Sequence, residues 1–536
     1  MSALESATMP RPAAPPAAPE RRLAARKSLL RYSPALVAVA VAIADSIRFA
    51  DPDLWGHIRF GQAVLSHARI AFSDPYSYSA PGHLWLNHEW LAEVIMAAAW
   101  GLLGVFGLKL MKFALAAAAI CALADAESQT DAPIPIQLLV LVVTALMSAP
   151  WFQFRPQLFT FALLAALLTL LARDARGRPA PLWLAIVMFA LWANLHGGFI
   201  IGIGALAVYS VAAGAQDLFE GRGWGRLARL GAITIASALA TLATPYGIGI
   251  WRAIARALAN PDTRTIVSDW QPLLASVAAH WHWRPLRSIY DFAPLGLGAA
   301  LAASIAASRA IDDPGLIAVA AAMLAGALVS IRNAPIAEIA IAVPLARHLG
   351  LALARRRARA GAPGAAPSAP LARSGPANQL AMAVIAVALL AATNFFSARL
   401  SAKERYPASA VEFMQTHNLS GNVLDDFLWG EYLIWHLAPG SRVFVDGRYD
   451  TVYPKSVIRD YIRFHFGESD AVLDSYPHDF VLIAPELGAR RLMDARGDWK
   501  LVYRDEVALL YARAGSPAAR IAGVPIAGIA PPTSFP

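Results

Sequence analysis

Two aspartates at the end of the first long apolar stretch are the first candidates for chemistry. Asp51 and Asp53 directly follow the apolar stretch 34–50, and His57 comes after Asp53 at the spacing of one helical turn. Carboxylates placed this way can remove a proton from a hydroxyl or bind a metal ion. The alternative is structural, because an Asp-Pro pair is a common way to begin a helix. We expect an acid–base or metal role and keep helix capping as the alternative.

Further polar groups recur where later apolar stretches end. They are His88, Glu89, Gln153, Arg155, Gln157, Asn194, His196, Asp269, Arg332 and Asn333. Ionisable groups at the edge of a membrane domain are costly unless they face water, a partner or a ligand. We therefore expect one cavity that collects them, with Arg155 and its flanking amides suited to a phosphate. Structural alternatives remain: Arg155 can extend to the membrane surface, His88-Glu89 can be an interfacial cap, and His196-Gly-Gly can be a tight turn.

The overall composition requires a membrane. Hydrophobic residues make up 57% of the 536-residue chain and charged residues only 15%, whereas soluble domains carry about 25% charged residues. Apolar stretches recur from Pro34 to Phe396, and most are close to the roughly 20 residues that cross a bilayer. The net charge of +9 comes from arginines at the ends of these stretches, which is a topology signal and no sign of nucleic-acid binding. The single cysteine, Cys121, excludes an internal disulfide.

The distribution of arginines predicts the orientation. A basic run from Arg21 to Arg31 precedes the first span, so the N-terminus should be cytoplasmic. If 89–124 crosses the membrane once, the arginine-rich loops 173–178, 222–229 and 355–359 also become cytoplasmic. Two short helices in 89–124 would invert three later loops, so we prefer one span near 104–124 that is preceded by a helix at the outer surface. We predict a mainly α, polytopic bundle of about 11 spans in a bacterial inner membrane, with the N-terminus inside and the C-terminus outside. The polar groups above then lie on the periplasmic face.

The same reasoning divides the chain into six parts. They are a disordered basic cytoplasmic tail at 1–32, a membrane domain at 33–353 with a large first outer loop at 51–88, a flexible cytoplasmic linker at 354–377, a last span at 378–398, a periplasmic α/β domain at 399–514 and a disordered tail at 515–536.

The C-terminal part reads as a small α/β domain. A helix is expected at 407–416, buried strands at 422–425, 442–446 and 480–484, and a hairpin within 500–512. The sequence Asp446-Gly-Arg448-Tyr-Asp450 follows a strand end, where ligands often bind in α/β sheets. The alternative for this segment is a turn that is held by a structural ion pair.

The arrangement resembles the GT-C superfamily of integral-membrane glycosyltransferases across roughly 34–352. The resemblance rests on the aspartate pair after the first span, the large first loop, His88-Glu89-Trp90 before the second span and the Arg155 turn after the third. It implies that Asp51 or Asp53 faces the acceptor and that Arg155 meets the donor phosphate. His88-Glu89-Trp90-Leu91 replaces a Pro-Pro-Leu-like segment of two branches, and a Trp-Trp-Asp motif of a third is missing. No branch therefore supplies the substrate.

We expect inverting transfer of a sugar from a polyprenyl-phosphate-linked donor to a glycan, lipid or protein acceptor at the periplasmic face. Asp51 or Asp53 would be the base, and Arg155 with Arg332 would stabilise the departing phosphate. His57, His88 and Glu89 would orient the acceptor or hold a divalent metal ion, the one cofactor considered. The other binding candidates are Gln157, Asn194, His196, Asp269 and Asn333. The alternative is a non-catalytic protein or a transporter in envelope polysaccharide assembly, which repeat halves with broken helices would favour; no clear internal repeat is present.

Overall fold

The computed structural model describes residues 49–258, 268–280, 285–360, 399–402, 405–521 and 534–535. The expected basic tail, the last span and most of the linker lie outside these ranges. Most of the expected first span also lies outside them, and its final residues, Phe49–Ala50, form a short strand, β1.

The described part of the membrane domain is helical. Its helices are α1 (Leu54–His67), α2 (Trp90–Ser128), α3 (Ile134–Ser148), α4 (Gln157–Ala175), α5 (Leu184–Leu195), α6 (Phe199–Phe219), α7 (Gly225–Ala240), α8 (Gly249–Leu258), α9 (Leu273–His280), α10 (Pro285–Ser308), α11 (Pro314–Val329) and α12 (Ala334–Arg359). Short 3-10 turns, Ala149–Trp151, Ser268–Trp270 and Ile331–Asn333, connect some of them.

Within the described residues, six helical stretches are long and apolar enough to cross a membrane. They are α2, α3 with its following turn, α4, α6, the part of α10 from Ile289, and α12 with its preceding turn. Helices α5 and α11 are apolar but shorter. The protein is therefore a mainly α membrane protein, while the count of about 11 spans and the orientation stay predictions.

Helix α2 contains a break at Gly104. Gly104 has φ 59° and ψ −141°, which is far from helical geometry, and glycine accepts this conformation because it has no β-carbon. The break falls where a surface helix was predicted to give way to a span near 104–124. Helix α2 packs on α1 and α4. Helix α12 packs on α3, α4, α10 and α11.

The C-terminal domain is built on a five-stranded mixed sheet. Its strands and helices are α13 (Ala408–Thr416), β3 (Asn422–Asp425), α14 (Gly430–Leu437), β4 (Arg442–Val443), α15 (Lys455–His465), α16 (Val472–Ser475), β5 (Phe480–Ile483), α17 (Ala489–Asp494), β6 (Trp499–Arg504) and β7 (Leu509–Arg513). The strand order is β4-β3-β5-β7-β6. Strand β3 runs parallel to β4 and β5, while β7 runs antiparallel to β5 and β6. The predicted hairpin is thus β6–β7.

Three boundaries differ from those predicted. Helix α12 continues to Arg359, so residues 354–359 are helical and do not begin a flexible linker. The expected strand 442–446 is limited to Arg442–Val443. The tail 515–536 contains a 3-10 turn at Ala518–Arg520 and a strand, β8 (Ser534–Phe535). That strand pairs with β2 (Leu400–Ala402), which also pairs with β1, so backbone hydrogen bonds supply the order that composition does not predict.

The predicted first outer loop, 51–88, packs directly on the C-terminal domain. Tyr78 donates its backbone N–H to the Val443 carbonyl at 3.2 Å, and the Ser79 hydroxyl donates to the Phe444 carbonyl at 2.5 Å. Trp55 of α1 stacks edge-on against Tyr432 of α14, with ring centroids 5.5 Å apart. Buried residues of α1, the loop and the C-terminal sheet belong to one hydrophobic core. The C-terminal domain is consequently a fixed neighbour of the segment that carries Asp51 and Asp53.

Candidate active site

Asp51 and Asp53 stand where strand β1 gives way to helix α1. The Asp51 carbonyl accepts the Leu54 N–H at 3.0 Å, and the Asp53 carbonyl accepts the His57 N–H at 2.9 Å. Asp53 occupies the cap position of α1, but its side chain makes no capping hydrogen bond. Helix capping therefore does not account for this carboxylate.

Arg155 binds both carboxylates. Its Nε lies 2.7 Å from Asp51 Oδ1 and its Nη2 lies 2.9 Å from Asp53 Oδ2. Its Nη1 is 3.7 Å from Asp269 Oδ2. Asp51 and Asp53 belong to one segment, and Asp269 comes from a distant part of the chain. All three meet at one guanidinium, whose planar fork suits this geometry.

Burial determines much of the charge behaviour here. It raises the pKa of Asp53, and Asp51 raises it further, while Arg155 lowers it. Burial disfavours the charge on Arg155, but Asp51, Asp53 and Asp269 outweigh it and raise the arginine pKa. The arginine therefore stays charged, and Asp53 is a stronger base than an ordinary aspartate.

A second cluster of histidine and glutamate lies beside the first. Ligand atoms of His57, Glu89 and Glu93 all lie within 4.8 Å of one another. His57 Nδ1 is 3.3 Å from Glu93 Oε1, and Asn87 Nδ2 donates to Glu93 Oε2 at 2.5 Å. Imidazole and carboxylate at this spacing suit a divalent transition metal such as Zn²⁺ or Mn²⁺, so these residues could hold one.

Two more histidines flank Glu89. His88 Nε2 and His196 Nε2 each lie 3.5 Å from Glu89 Oε1. Burial opposes ionisation of Glu89, but His88, His196 and His57 outweigh it and lower its pKa to about 2. Burial lowers the pKa of His196 to about 3, against the pull of Glu89. At neutral pH, Glu89 is thus a carboxylate and His196 a neutral imidazole.

His57 behaves in the opposite way. Burial opposes its protonation, but the hydrogen bond with Glu93 and the charges of Glu89 and Asp53 outweigh burial and raise its pKa. In the absence of a metal ion, His57 therefore favours the protonated form more than a free histidine does.

Arg332 approaches the site from the turn before α12. Its guanidinium lies 5.8 Å from the centre of the Trp270 ring, and its charge acts on both Asp53 and Glu89. Among the residues that the structure describes, no carboxylate lies within ion-pair distance of Arg332. Arg332 is consequently more available than Arg155 to a bound anion.

Three predicted binding residues serve the scaffold in this structure. Asn194 accepts the Trp90 indole N–H at 2.9 Å and donates to the Ala243 carbonyl at 2.8 Å. Asn333 donates to the Gly326 carbonyl at 3.1 Å, and Gln157 donates to the Arg332 carbonyl at 3.4 Å. These contacts join helices and leave the amides less free for a ligand.

His196 is held at the tight turn that begins α6. Its Nδ1 accepts the Gly198 N–H at 3.0 Å and lies 2.8 Å from the Thr160 hydroxyl. A β-carbon on Gly198 would stand 2.4 Å from that hydroxyl, so glycine is required there. His196 therefore stabilises the tight turn and also lies beside Glu89.

Sequence reasoning missed several groups around the site. Glu93 could have been found, because it follows Glu89 at i+4 and so shares its helical face. Glu431 of α14, whose carboxyl group lies near Asp53, could not, since it lies in an apolar segment with no motif around it. The Asp446–Asp450 turn matches its structural alternative: Arg448 binds Asp446 and Asp74, with Nη to Oδ distances of 2.6 Å for both.

Comparison with known proteins identifies the fold. No protein-family model matches the sequence, and no curated protein matches it. Among solved structures, the arabinofuranosyltransferase AftD from Mycobacteria has a TM-score of 0.50 at 16% identity, over 91% of this chain and 42% of AftD. The oligosaccharyltransferase AglB from Archaeoglobus fulgidus has a TM-score of 0.50 at 13% identity, over 84% of this chain and 69% of AglB.

ArnT from Cupriavidus metallidurans is also similar, with a TM-score of 0.48 at 14% identity, over 94% of this chain and 100% of ArnT. The fold of this chain is thus similar to those of AftD and AglB, in agreement with the resemblance to GT-C membrane glycosyltransferases that was noted in the sequence. This chain spans less than half the length of AftD.

Proposed function

We propose that this protein transfers a sugar from a polyprenyl-phosphate-linked donor to an acceptor hydroxyl at the periplasmic face of a bacterial inner membrane. The observation that carries the proposal is the pair of first-loop carboxylates held by one arginine within a GT-C fold. AglB was solved with a dolichol-phosphate, which supports a lipid-phosphate donor for this chain. The acceptor is a glycan, lipid or protein.

Asp53 is the better candidate for the base. Its side chain is 24% exposed, whereas that of Asp51 is 2% exposed, so only Asp53 can easily meet a substrate. A general base works best when its pKa is raised toward the operating pH, and burial raises that of Asp53. Asp51 then serves to hold Arg155 in place.

The reaction is a single displacement. The acceptor oxygen forms a bond to the anomeric carbon, the bond from that carbon to the phosphate oxygen breaks, and the acceptor proton passes to Asp53. The electron pair of the broken bond stays on the phosphate, and the configuration inverts. Arg332 is placed to stabilise this charge, because Arg155 already binds three carboxylates.

A divalent metal ion is compatible with the second cluster. His57, Glu89 and Glu93 would hold it, with Asn87 and the flanking histidines orienting these ligands. Such an ion would supply Lewis-acid polarisation of a bound oxygen. The displacement above uses only side chains of the chain itself.

The test is a sugar-transfer assay in membranes with a panel of radiolabelled polyprenyl-phosphate sugars. Asp53→Asn should lower kcat by about 10²- to 10⁴-fold, the usual loss when a general base is removed. Asp131→Asn, at an exposed aspartate that is paired with Arg178, is the matched control and should leave transfer unchanged. Transfer that survives replacement of both Asp51 and Asp53 would contradict the proposal. Folded protein that transfers no sugar from any donor would favour a non-catalytic role or transport.

A further inference from the structure

A carboxyl group of the C-terminal domain lies against the start of helix α1. Glu431, in the first turn of α14, is only 4% exposed. Its side chain covers Gly56: a β-carbon at position 56 would stand 2.0 Å from Glu431 Oε2 and 2.3 Å from its carboxyl carbon. Glycine at position 56 therefore leaves the space that this carboxyl group occupies.

The same carboxyl group is a neighbour of Asp53. A β-carbon on Gly447 would stand 2.5 Å from Asp53 Oδ1 and 2.8 Å from Glu431 Oε1. Both carboxyl oxygens therefore border the same space above Gly447. The other oxygen of Asp53 contacts Arg155 at 2.9 Å. Asp53 is thus placed between an arginine of the membrane domain and a carboxyl group of the C-terminal domain.

The charges around Glu431 favour its neutral form. Burial, together with the nearby Asp53 and Asp446, holds the pKa of Glu431 well above its usual range, and Glu93 adds to this. Arg448 is the opposing cation, but it is bound to Asp446 and Asp74. A protonated carboxyl group is a hydrogen-bond donor. Oε1 of Glu431 is the oxygen on the side of Asp53, while Oε2, at Gly56, is buried without a hydrogen-bond partner among the described residues.

We propose that Glu431 is a positioning residue that hydrogen-bonds to Asp53 and fixes its orientation toward the acceptor, which makes the C-terminal domain part of the reaction centre. The inference rests on the proposed function in one respect, the role of Asp53 as base. Glu431 keeps its own proton during transfer, and the acceptor proton goes to Asp53. The contact itself can be tested without any substrate.

The first experiment tests the contact. In a Cys121→Ala background, the pair Asp53→Cys and Gly447→Cys should form a disulfide on mild oxidation, whereas Asp53→Cys with Glu412→Cys should not, because Glu412 is exposed. In difference infrared spectra of the intact protein, Glu431→Gln should remove a protonated-carboxyl band, and Asp53→Asn should shift that band. A missing disulfide would mean that Asp53 does not lie against the C-terminal domain at Gly447, and a band that Asp53→Asn leaves unmoved would mean that Glu431 does not bond to Asp53. Either result overturns the proposal.

The second experiment tests the role in transfer. Glu431→Ala should lower kcat by about 10²-fold, as expected for a misplaced catalytic group, with the KM for the donor unchanged. Glu431→Gln keeps a hydrogen-bond donor and should stay within a few-fold of the intact protein, as should the exposed control Glu412→Ala. A loss of kcat in Glu431→Gln equal to that in Glu431→Ala, or no loss of kcat in either variant, overturns the proposal.

A double variant separates positioning from general damage. Gly56→Ala displaces Glu431, so this single variant should lower kcat. In combination with Glu431→Ala it should lower kcat little further, because the Glu431 side chain that a β-carbon at position 56 would displace is then gone. Fully additive losses would overturn the proposal. If the intact protein transfers no sugar, the proposed function fails. The infrared shift still decides whether Glu431 bonds to Asp53, and the disulfide still decides whether Asp53 lies against the C-terminal domain.

Discussion

Replacement of Arg448 by alanine should release the C-terminal domain from the first outer loop. The Arg448 guanidinium binds Asp446 through Nε and Nη2 at 2.8 Å and 2.6 Å, and Asp74 through Nη1 at 2.6 Å. It also lies 4.8–5.4 Å from the ring centres of Phe60, Tyr76 and Trp85. The side chains of Asp74 and Asp446 are fully buried, so the variant leaves two carboxylates without a counter-charge.

The magnitude follows from the burial of these groups. Removal of one partner of a buried ion pair costs about 3–5 kcal/mol. At about 1.4 kcal/mol for each factor of ten, the undocked population of the C-terminal domain should rise by roughly 10²- to 10³-fold or more. This change is large enough to measure without unfolding the bundle.

A buried reporter at the interface can measure undocking. Ser79 is 6% exposed and contacts the Phe444 carbonyl, so Ser79→Cys in a Cys121→Ala background keeps the size of the side chain. The alkylation rate of this cysteine reports the undocked population when opening and closing are fast. We expect Arg448→Ala to raise that rate by at least 10²-fold.

Arg496 provides a matched control on the surface of the same domain. It also pairs with several aspartates, Asp470, Asp474 and Asp498, but their side chains are 44–63% exposed. Exposed pairs contribute about 1 kcal/mol or less each, so Arg496→Ala should change the alkylation rate only slightly. Equal effects of Arg448→Ala and Arg496→Ala, or a rise below about ten-fold for Arg448→Ala, would refute the reasoning.

Three further outcomes are expected. Arg155→Lys should lower kcat by at least about ten-fold in the transfer assay, because a lysine cannot bind both aspartates with a planar fork; unchanged kcat would contradict this geometry. Burial lowers the pKa of His478 to about 4, below the roughly 6.5 of an unfolded histidine, so the unfolded state takes up a proton first as the pH falls. The free energy of unfolding of the C-terminal domain should therefore fall by about 2 kcal/mol between pH 7 and pH 5 through this group. Denaturant titrations should show a smaller fall in His478→Gln. His57→Ala should reduce the divalent metal that co-purifies with the protein, measured by elemental analysis beside Asp131→Asn; equal metal in both would remove the second cluster as a metal site.

Local patterns account for the parts of the fold that were predicted. The apolar stretches and their lengths indicate membrane helices, because only a helix satisfies its own backbone in lipid. The hairpin β6–β7 follows from two apolar runs around Arg504-Asp-Glu506. Each of these features depends on neighbours within one or two turns of chain.

The boundaries that differed have different origins. The composition of 515–536 favours disorder, yet Ser534 pairs with Ser401 in a small sheet. Pairing with a distant segment decides this end, and composition does not record it. Residues past 353 look like a linker, yet α12 continues to Arg359; the last residues of this helix are exposed, so distant packing does not explain its length.

The sequence by itself determined that this is a polytopic membrane protein with a small C-terminal domain, and it marked Asp51, Asp53 and Arg155 as candidates. Their residue types and their positions at the ends of apolar stretches were sufficient for that. Only the tertiary structure brought Arg155 to three carboxylates, and only it joined Arg448 to Asp74 across 374 positions of chain. Contacts over such separations depend on how whole elements pack, so no local period or spacing in the sequence encodes them.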